Sequence, residues 1–273
     1  MVDLRTSDLS VIRLDDSFIA VDKAPGIVVH AEPGRRSLQA LVDAWLAERE
    51  PGSGPVLPVH RLDKDTSGVI VFARTQQAAA ALSASFRERR AHKRYLALTW
   101  PVPRRRFLET ELRLEPQALG TGEKMVVVDA EHRGRHVVDA RSEIELLARG
   151  RRLGLVRVVP HEGRKHHVRV TLAHLGAPIV GDFVYGGRRV AKEARRIMLH
   201  ARGLELAHPA GRGHLDLRAP LPEDFVERFR LDGGLLPREL DKRHRAEGPS
   251  RAERNARPGL PGPDRPRRRK KRR

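Results

Sequence analysis

A chain of 273 residues with a formal charge of +19 and a pI near 11.3 calls for a polyanionic partner, nucleic acid ahead of a membrane surface. The absence of cysteine excludes disulfides, thiolate metal sites and a cysteine nucleophile. No window approaches the roughly 18 apolar residues of a membrane span, and Met1-Val2-Asp3-Leu4-Arg5 opens without the apolar core of a signal peptide, so a cytoplasmic protein with no membrane partner is expected.

In chain order, residues 11–14 and 18–22 alternate as short strands about an Asp15-Asp16 turn. Ser37 reads as the cap of an amphipathic helix to about residue 49, burying Leu38, Leu41, Val42, Trp45 and Leu46. Pro51-Gly52-Ser53-Gly54-Pro55 ends it. A polar turn then runs into an apolar strand at 69–73, and Thr75 caps an alanine-rich helix over residues 76–88. Strands are predicted at 93–99, 125–128, 137–146 and 153–159. A third helix, 164–174, places Val168, Leu172 and Leu175 on one apolar face, with Arg169 one turn after His166 on the same side. A Gly/Pro-rich loop, strands at 197–207 and 214–217, and a short helix at 222–229 complete the pattern. Strands that follow one another without crossover helices predict an α+β fold: a mixed, largely antiparallel sheet with flanking helices.

Two regions are expected, a globular domain over residues 1–232 and a tail over 233–273. The tail holds 15 Lys or Arg against 5 Asp or Glu, a net +10, together with six prolines. Such a segment buries too little apolar surface to offset its ordering entropy and reads as disordered. Its charge suits a sequence-independent clamp on RNA phosphates.

The stretch His60-Arg61-Leu62-Asp63-Lys64-Asp65-Thr66-Ser67-Gly68-Val69-Ile70-Val71-Phe72-Ala73-Arg74 is the most informative. An acidic, hydroxyl-rich turn leads directly into a buried strand, which fixes the backbone while the turn aims the side chains. Three further segments accompany it in order: Val21-Asp22-Lys23-Ala24-Pro25-Gly26-Ile27-Val28-Val29-His30, Lys93-Arg94-Tyr95-Leu96-Ala97-Leu98, and residues 163–182, which begin Gly163-Arg164-Lys165-His166-His167-Val168-Arg169. Together they resemble the motifs of the RluA family of pseudouridine synthases over residues 18–208, with Arg196-Ile197-Met198-Leu199-His200-Ala201 fitting the family's late strand more loosely.

The resemblance implies a catalytic domain with a central cleft, in which Asp63 is the essential carboxylate, Arg169 its partner and Tyr95 a stacking surface for the uracil. It further implies that Arg61 fills the space vacated in the RNA stack, with His60, Lys165 and His166 also contacting RNA. The reaction detaches uracil, rotates it and rejoins it through carbon-5. It requires neither cofactor nor metal. His132-x-x-x-His136 has metal-like spacing but no accompanying carboxylate. The implied substrate is a stem-loop of ribosomal or transfer RNA, acted on by a monomer. DNA is not expected, since no helix-turn-helix or basic-zipper pattern is present. The first motif begins near Phe18, which leaves no room before it for the small accessory RNA-binding domain that many relatives carry.

His167 stands where the family usually has glutamine, and Thr171 where histidine is frequent; neither departure touches the aspartate or its arginine. The alternative reading is a catalytically idle RNA-binding or ribosome-assembly factor with the same fold.

Overall fold

The computed structural model describes residues 5–30, 36–120 and 122–241. Its strands are β1 (Ser10–Leu14), β2 (Phe18–Lys23), β3 (Leu57–Pro58), β4 (Ser67–Ala73), β5 (His92–Thr99), β6 (Phe107–Leu119), β7 (Gly122–Val128), β8 (Val138–Arg149), β9 (Gly154–Pro160), β10 (Leu199–Ala207) and β11 (His214–Arg218). The helices are α1 (Leu38–Arg49), α2 (Gln76–Arg87), α3 (His167–His174), α4 (Phe183–Ala191), α5 (Glu223–Leu231) and α6 (Arg238–Asp241).

The strands form one sheet in the order β1-β2-β4-β10-β5-β9-β8-β6-β7, with β3 added to β4 and β11 to β10. Paired strands run antiparallel except β4 and β10, which run parallel and pair only through Ser67↔His200 and Gly68↔Ala201. This two-residue seam joins the halves of the sheet. It depends on glycine: Gly68 has φ +115°, and a Cβ there would lie 2.2 Å from the Ala201 carbonyl oxygen. Ser67 Oγ closes the seam against His200 Nδ1 at 3.0 Å. Burial pushes the His200 pKa down to about 3, so the ring is neutral.

Each half of the sheet has its own core. On one side β2 and β4 pack against α1, which buries Leu38, Val42 and Leu46, each side chain stabilising by about 1.5–3 kcal/mol. Ser37 caps α1 through Ala40 N–H and Thr75 caps α2 through Ala78 N–H, as their sequences predict. All seven residues of β4 are buried, which explains its unbroken apolar run. On the other side β5, β8 and β9 enclose a core with Val168 and Leu172 of α3 and Phe225 and Phe229 of α5. Tyr95 packs against both cores.

The α+β class and the antiparallel character match the sequence expectation, while several elements differ. β6 has no predicted counterpart, although Leu108, Thr110, Leu112 and Leu114 alternate with Glu109, Glu111, Arg113 and Glu115; Pro116 interrupts the pattern. Pro116 is tolerated because β8 pairs only as far as Leu114, leaving one neighbour at that point. Helix α4 occupies the expected loop, and α3 starts at His167, three residues late, since His166 takes a left-handed conformation (φ +54°). Leu175 is 37% exposed, so the apolar face of α3 ends at Leu172. The expected domain boundary after residue 232 also differs from the chain's organisation, which divides after Lys242: Leu236 and Leu240 pack on the core. Residues 242–273, and with them most of the expected tail, lie outside the described residues. Among the described residues no helix is long and apolar enough to cross a membrane.

Candidate active site

The turn before β4 is held from three directions. Leu62 is buried in the α1-side core, Thr66 N–H closes the turn onto the Asp63 carbonyl at 3.1 Å, and Gly26 N–H donates to the Lys64 carbonyl at 2.9 Å. Lys23, fully buried, donates to the carbonyls of Ala24, Ile27 and Lys64 at 2.9, 2.8 and 2.8 Å. All three protons of the ammonium are thereby used. Burial pulls its pKa down to about 7, against the opposing charges of Asp65 and Asp63. The result is an Asp63 side chain aimed from a rigid backbone at the end of the seam, 22% exposed.

Arg169, on α3, reaches Asp63 from the other half of the sheet, Nη1 to Oδ2 at 3.3 Å. Its Nε and Nη2 donate to the two oxygens of Asp182 at 2.8 and 3.0 Å. Asp182 is fully buried and also caps α4, its Oδ1 accepting from Val184 N–H and Tyr185 N–H. Burial disfavours the charged guanidinium, but the hydrogen bonds and charge of Asp182, with the charge of Asp63, more than offset it and raise the pKa. The preceding Gly181 is required: at φ +83°, a Cβ there would lie 1.8 Å from the Arg196 carbonyl oxygen.

The ring of Tyr185 lies 5.1 Å from the Arg169 guanidinium carbon. Burial pushes its pKa up to about 12, so it keeps its proton. Its oxygen accepts from Met125 N–H of β7 at 2.8 Å, and its O–H donates to His166 Nδ1 at 2.9 Å. That bond, and burial that lowers the His166 pKa, fix a neutral imidazole. Tyr95 projects from β5 into the same cavity; burial, followed by the charge of Asp63, raises its pKa.

The cavity measures about 480 Å³ and is lined by Asp63, Tyr95, His166 and Arg169, with a basic rim that includes Arg61 and Lys165. Arg61 is exposed, and Lys165 Nζ lies 3.5 Å from Glu123 at the start of β7. The structure thus gathers Asp63, Tyr95, Arg169, Arg61, Lys165 and His166 at one site. His60 lines the same cavity. Its ring stacks on Phe86 with centroids 4.5 Å apart, and its Nε2 accepts from Val71 N–H at 2.9 Å. Burial holds its pKa down to about 3, so the ring that braces β4 is neutral.

His167 is likewise engaged internally. Its Nδ1–H donates to the Glu162 carbonyl and its Nε2 accepts from Ser142 Oγ, both at 3.0 Å. A glutamine amide can likewise donate to one of these partners and accept from the other, which accounts for this departure from the family pattern. Thr171 is fully buried and its hydroxyl finds no partner among the described residues; nothing in the structure explains it. His132 lies in the loop between β7 and β8, not on a helix, and pairs with Glu115 at 2.6 Å.

Asp182, Tyr185 and Lys23 are absent from the predicted site. An aspartate directly before an apolar run is a helix-cap signal, so the cap was legible. The second use of Asp182, holding Arg169, depends on tertiary placement.

The sequence profile of the RNA pseudouridylate synthase family matches residues 17–174. Ribosomal large subunit pseudouridine synthase D of Pseudomonas aeruginosa is 34% identical over 239 residues, spanning 80% of this chain and 70% of that protein. The protein of the same name from Xanthomonas campestris pv. campestris is 37% identical over 241 residues, spanning 80% and 67%. Among solved structures, human RNA pseudouridylate synthase domain containing 4 superposes with a TM-score of 0.69 at 25% identity, covering 84% of this chain and 94% of that one.

Proposed function

The chain belongs to the RNA pseudouridylate synthase family and is an isomerase, and on that premise we propose that it converts a uridine of large-subunit ribosomal RNA to pseudouridine through Asp63. The observation that carries this reading is the Asp63–Arg169 pair at the sheet seam, opening on a cavity walled by Tyr95. The ribosomal target rests on the names of the bacterial relatives; transfer RNA is the competing substrate.

A stacked, paired uridine is out of reach, so the nucleotide must leave the helix to enter the cavity. Tyr95 offers the flat surface on which the uracil rests. Arg61, exposed at the rim, fills the gap left in the RNA stack. The guanidinium of Arg169 faces the Asp63 carboxylate with its positive charge and fixes its direction. The carboxylate then drives cleavage of the bond between ribose carbon-1′ and uracil nitrogen-1. The uracil turns in place, the new bond forms at carbon-5, the carbon-5 proton departs to solvent and nitrogen-1 takes one up. Atoms balance without an oxidant or a second substrate. The reaction is assigned to the cytoplasm and to a monomer.

Release of tritium from carbon-5-labelled uridine in unmodified large-subunit ribosomal RNA, compared with transfer RNA, tests the reading. Release from the ribosomal transcript, mapped to a defined uridine, is expected. Release from transfer RNA alone reassigns the target, and release from neither leaves an idle RNA-binding protein.

A further inference from the structure

Lys93 and Tyr95 are two residues apart on β5, so they share one face about 6.6 Å apart along the strand. Both line the catalytic cavity, whereas Arg94 and Leu96 line a smaller cavity of about 160 Å³, which Tyr95 also borders. The Lys93 ammonium lies over the backbone of Gly163, where a Cβ would stand 3.1 Å from Nζ. Among the described residues Nζ has no hydrogen-bond or ion-pair partner.

Glu162, whose charge acts on Lys93, is already fully used. Its Oε2 accepts from Arg141 N–H at 2.7 Å, and its Oε1 meets Arg141 Nε at 3.2 Å and Arg89 Nη1 at 3.1 Å. Arg87, Arg164 and Lys165 line the same cavity; Arg87 and Lys165 meet Glu88 and Glu123 at 3.7 and 3.5 Å, but neither carboxylate lines the cavity, so the wall beyond Tyr95 is positive. A half-buried cation without a partner is costly unless an anion completes it.

We propose that Lys93 grips an RNA backbone phosphate beside the uridine extruded onto Tyr95, an inference that rests on the synthase reading above. The groups facing Lys93 are His60 before β4, Arg89 after α2, Glu162 and Arg164 between β9 and α3, and His167 on α3. Burial holds His60 and His167 at about 3 and 4 and draws Lys93 down to about 8. Of this group, Lys93 alone titrates between pH 7 and 9. A bound phosphate raises its pKa, so the complex takes up a proton: affinity is greatest below pH 8 and declines as pH rises beyond it.

The test compares wild-type protein with Lys93→Gln and Lys93→Arg on unmodified large-subunit ribosomal RNA, measuring affinity against salt and pH alongside tritium release. Lys93→Gln is expected to bind about tenfold more weakly, with a salt slope shallower by roughly 0.7–0.9. Lys93→Arg should bind like the wild type at pH 7 and lose the decline above pH 8. Removing an unpartnered charge should leave the melting temperature of Lys93→Gln unchanged or higher. An unchanged salt slope, or a pH decline shared by Lys93→Arg, overturns the phosphate assignment. A wild type that binds without releasing tritium fails the synthase reading instead.

Discussion

Arg169 is gripped by Asp182 through two hydrogen bonds, Nε–Oδ2 at 2.8 Å and Nη2–Oδ1 at 3.0 Å, while its free edge meets Asp63 with one at 3.3 Å. The buried carboxylate sets the guanidinium, and the guanidinium in turn sets the carboxylate of Asp63. Asp182 is itself tied to the start of α4 by two backbone N–H groups. The chain of restraint therefore runs from helix cap to arginine to Asp63, and each link has a distinct consequence when cut.

Asp63→Asn should abolish turnover and leave RNA affinity largely intact. Affinity arises from phosphate contacts spread over the surface, and the substitution removes only the carboxylate charge from a side chain that the backbone already positions. Single-turnover tritium release and filter binding on the same preparation check this. Retention of more than a few per cent of wild-type activity would be incompatible with the role given to Asp63.

Arg169→Ala strands a fully buried Asp182 without its cation, which should cost about 3–5 kcal/mol and most of the activity. Asp182→Asn should be milder in stability, because an asparagine oxygen still caps α4, yet it loosens Arg169 and lowers the rate. Chemical denaturation beside single-turnover rates separates the two. Equal stability losses would mean that stranding the Asp182 charge costs no more than breaking the pair, since both variants keep the cap.

His60, His167 and His200 are held neutral, at about 3, 4 and 3, by burial above all. Each folded value lies below the unfolded value of about 6.5. As pH falls through 6.5, the unfolded chain binds protons that the folded chain refuses, so stability declines toward acid. At pH 5 the loss is roughly 2 kcal/mol per histidine. His167→Gln keeps one donor to Glu162 and one acceptor for Ser142. It should leave activity at pH 7 unchanged and flatten the acid limb of melting temperature against pH. An acid limb identical to the wild type's would mean that His167 charges in the folded state.

The candidate site was legible in sequence as far as it lies on continuous motifs. Asp63, Tyr95 and Arg169 each sit in a short run whose order fixes them, and the Ser37 and Thr75 caps are local events. What sequence could not supply were relationships made across the seam. Asp182 meets Arg169 only because α4 begins where Gly181 allows a close approach to Arg196. The hold on His60 comes from Val71 of β4 and Phe86 of α2, partners outside its own turn. β6 escaped prediction because Pro116 obeys a pairing constraint set by the length of β8, which no local window contains.

The final prediction concerns the basic terminus. Residues 243–273 carry 13 Lys or Arg against 3 Asp or Glu, a net +10 of the chain's +19, whereas Leu236 and Leu240 belong to the core. A truncation should therefore end at Lys242, not at residue 237, where loss of Leu240 would expose part of the core. Removing 243–273 is expected to leave the melting transition and the single-turnover rate at saturating RNA unchanged. RNA affinity should fall, and the slope of log affinity against log salt should become shallower by roughly 0.7–0.9 for each phosphate the shortened chain no longer neutralises. Disappearance of the melting transition would mean that the terminus stabilises the fold. An unchanged salt slope would mean that its charge never meets RNA, leaving it to act on solubility alone.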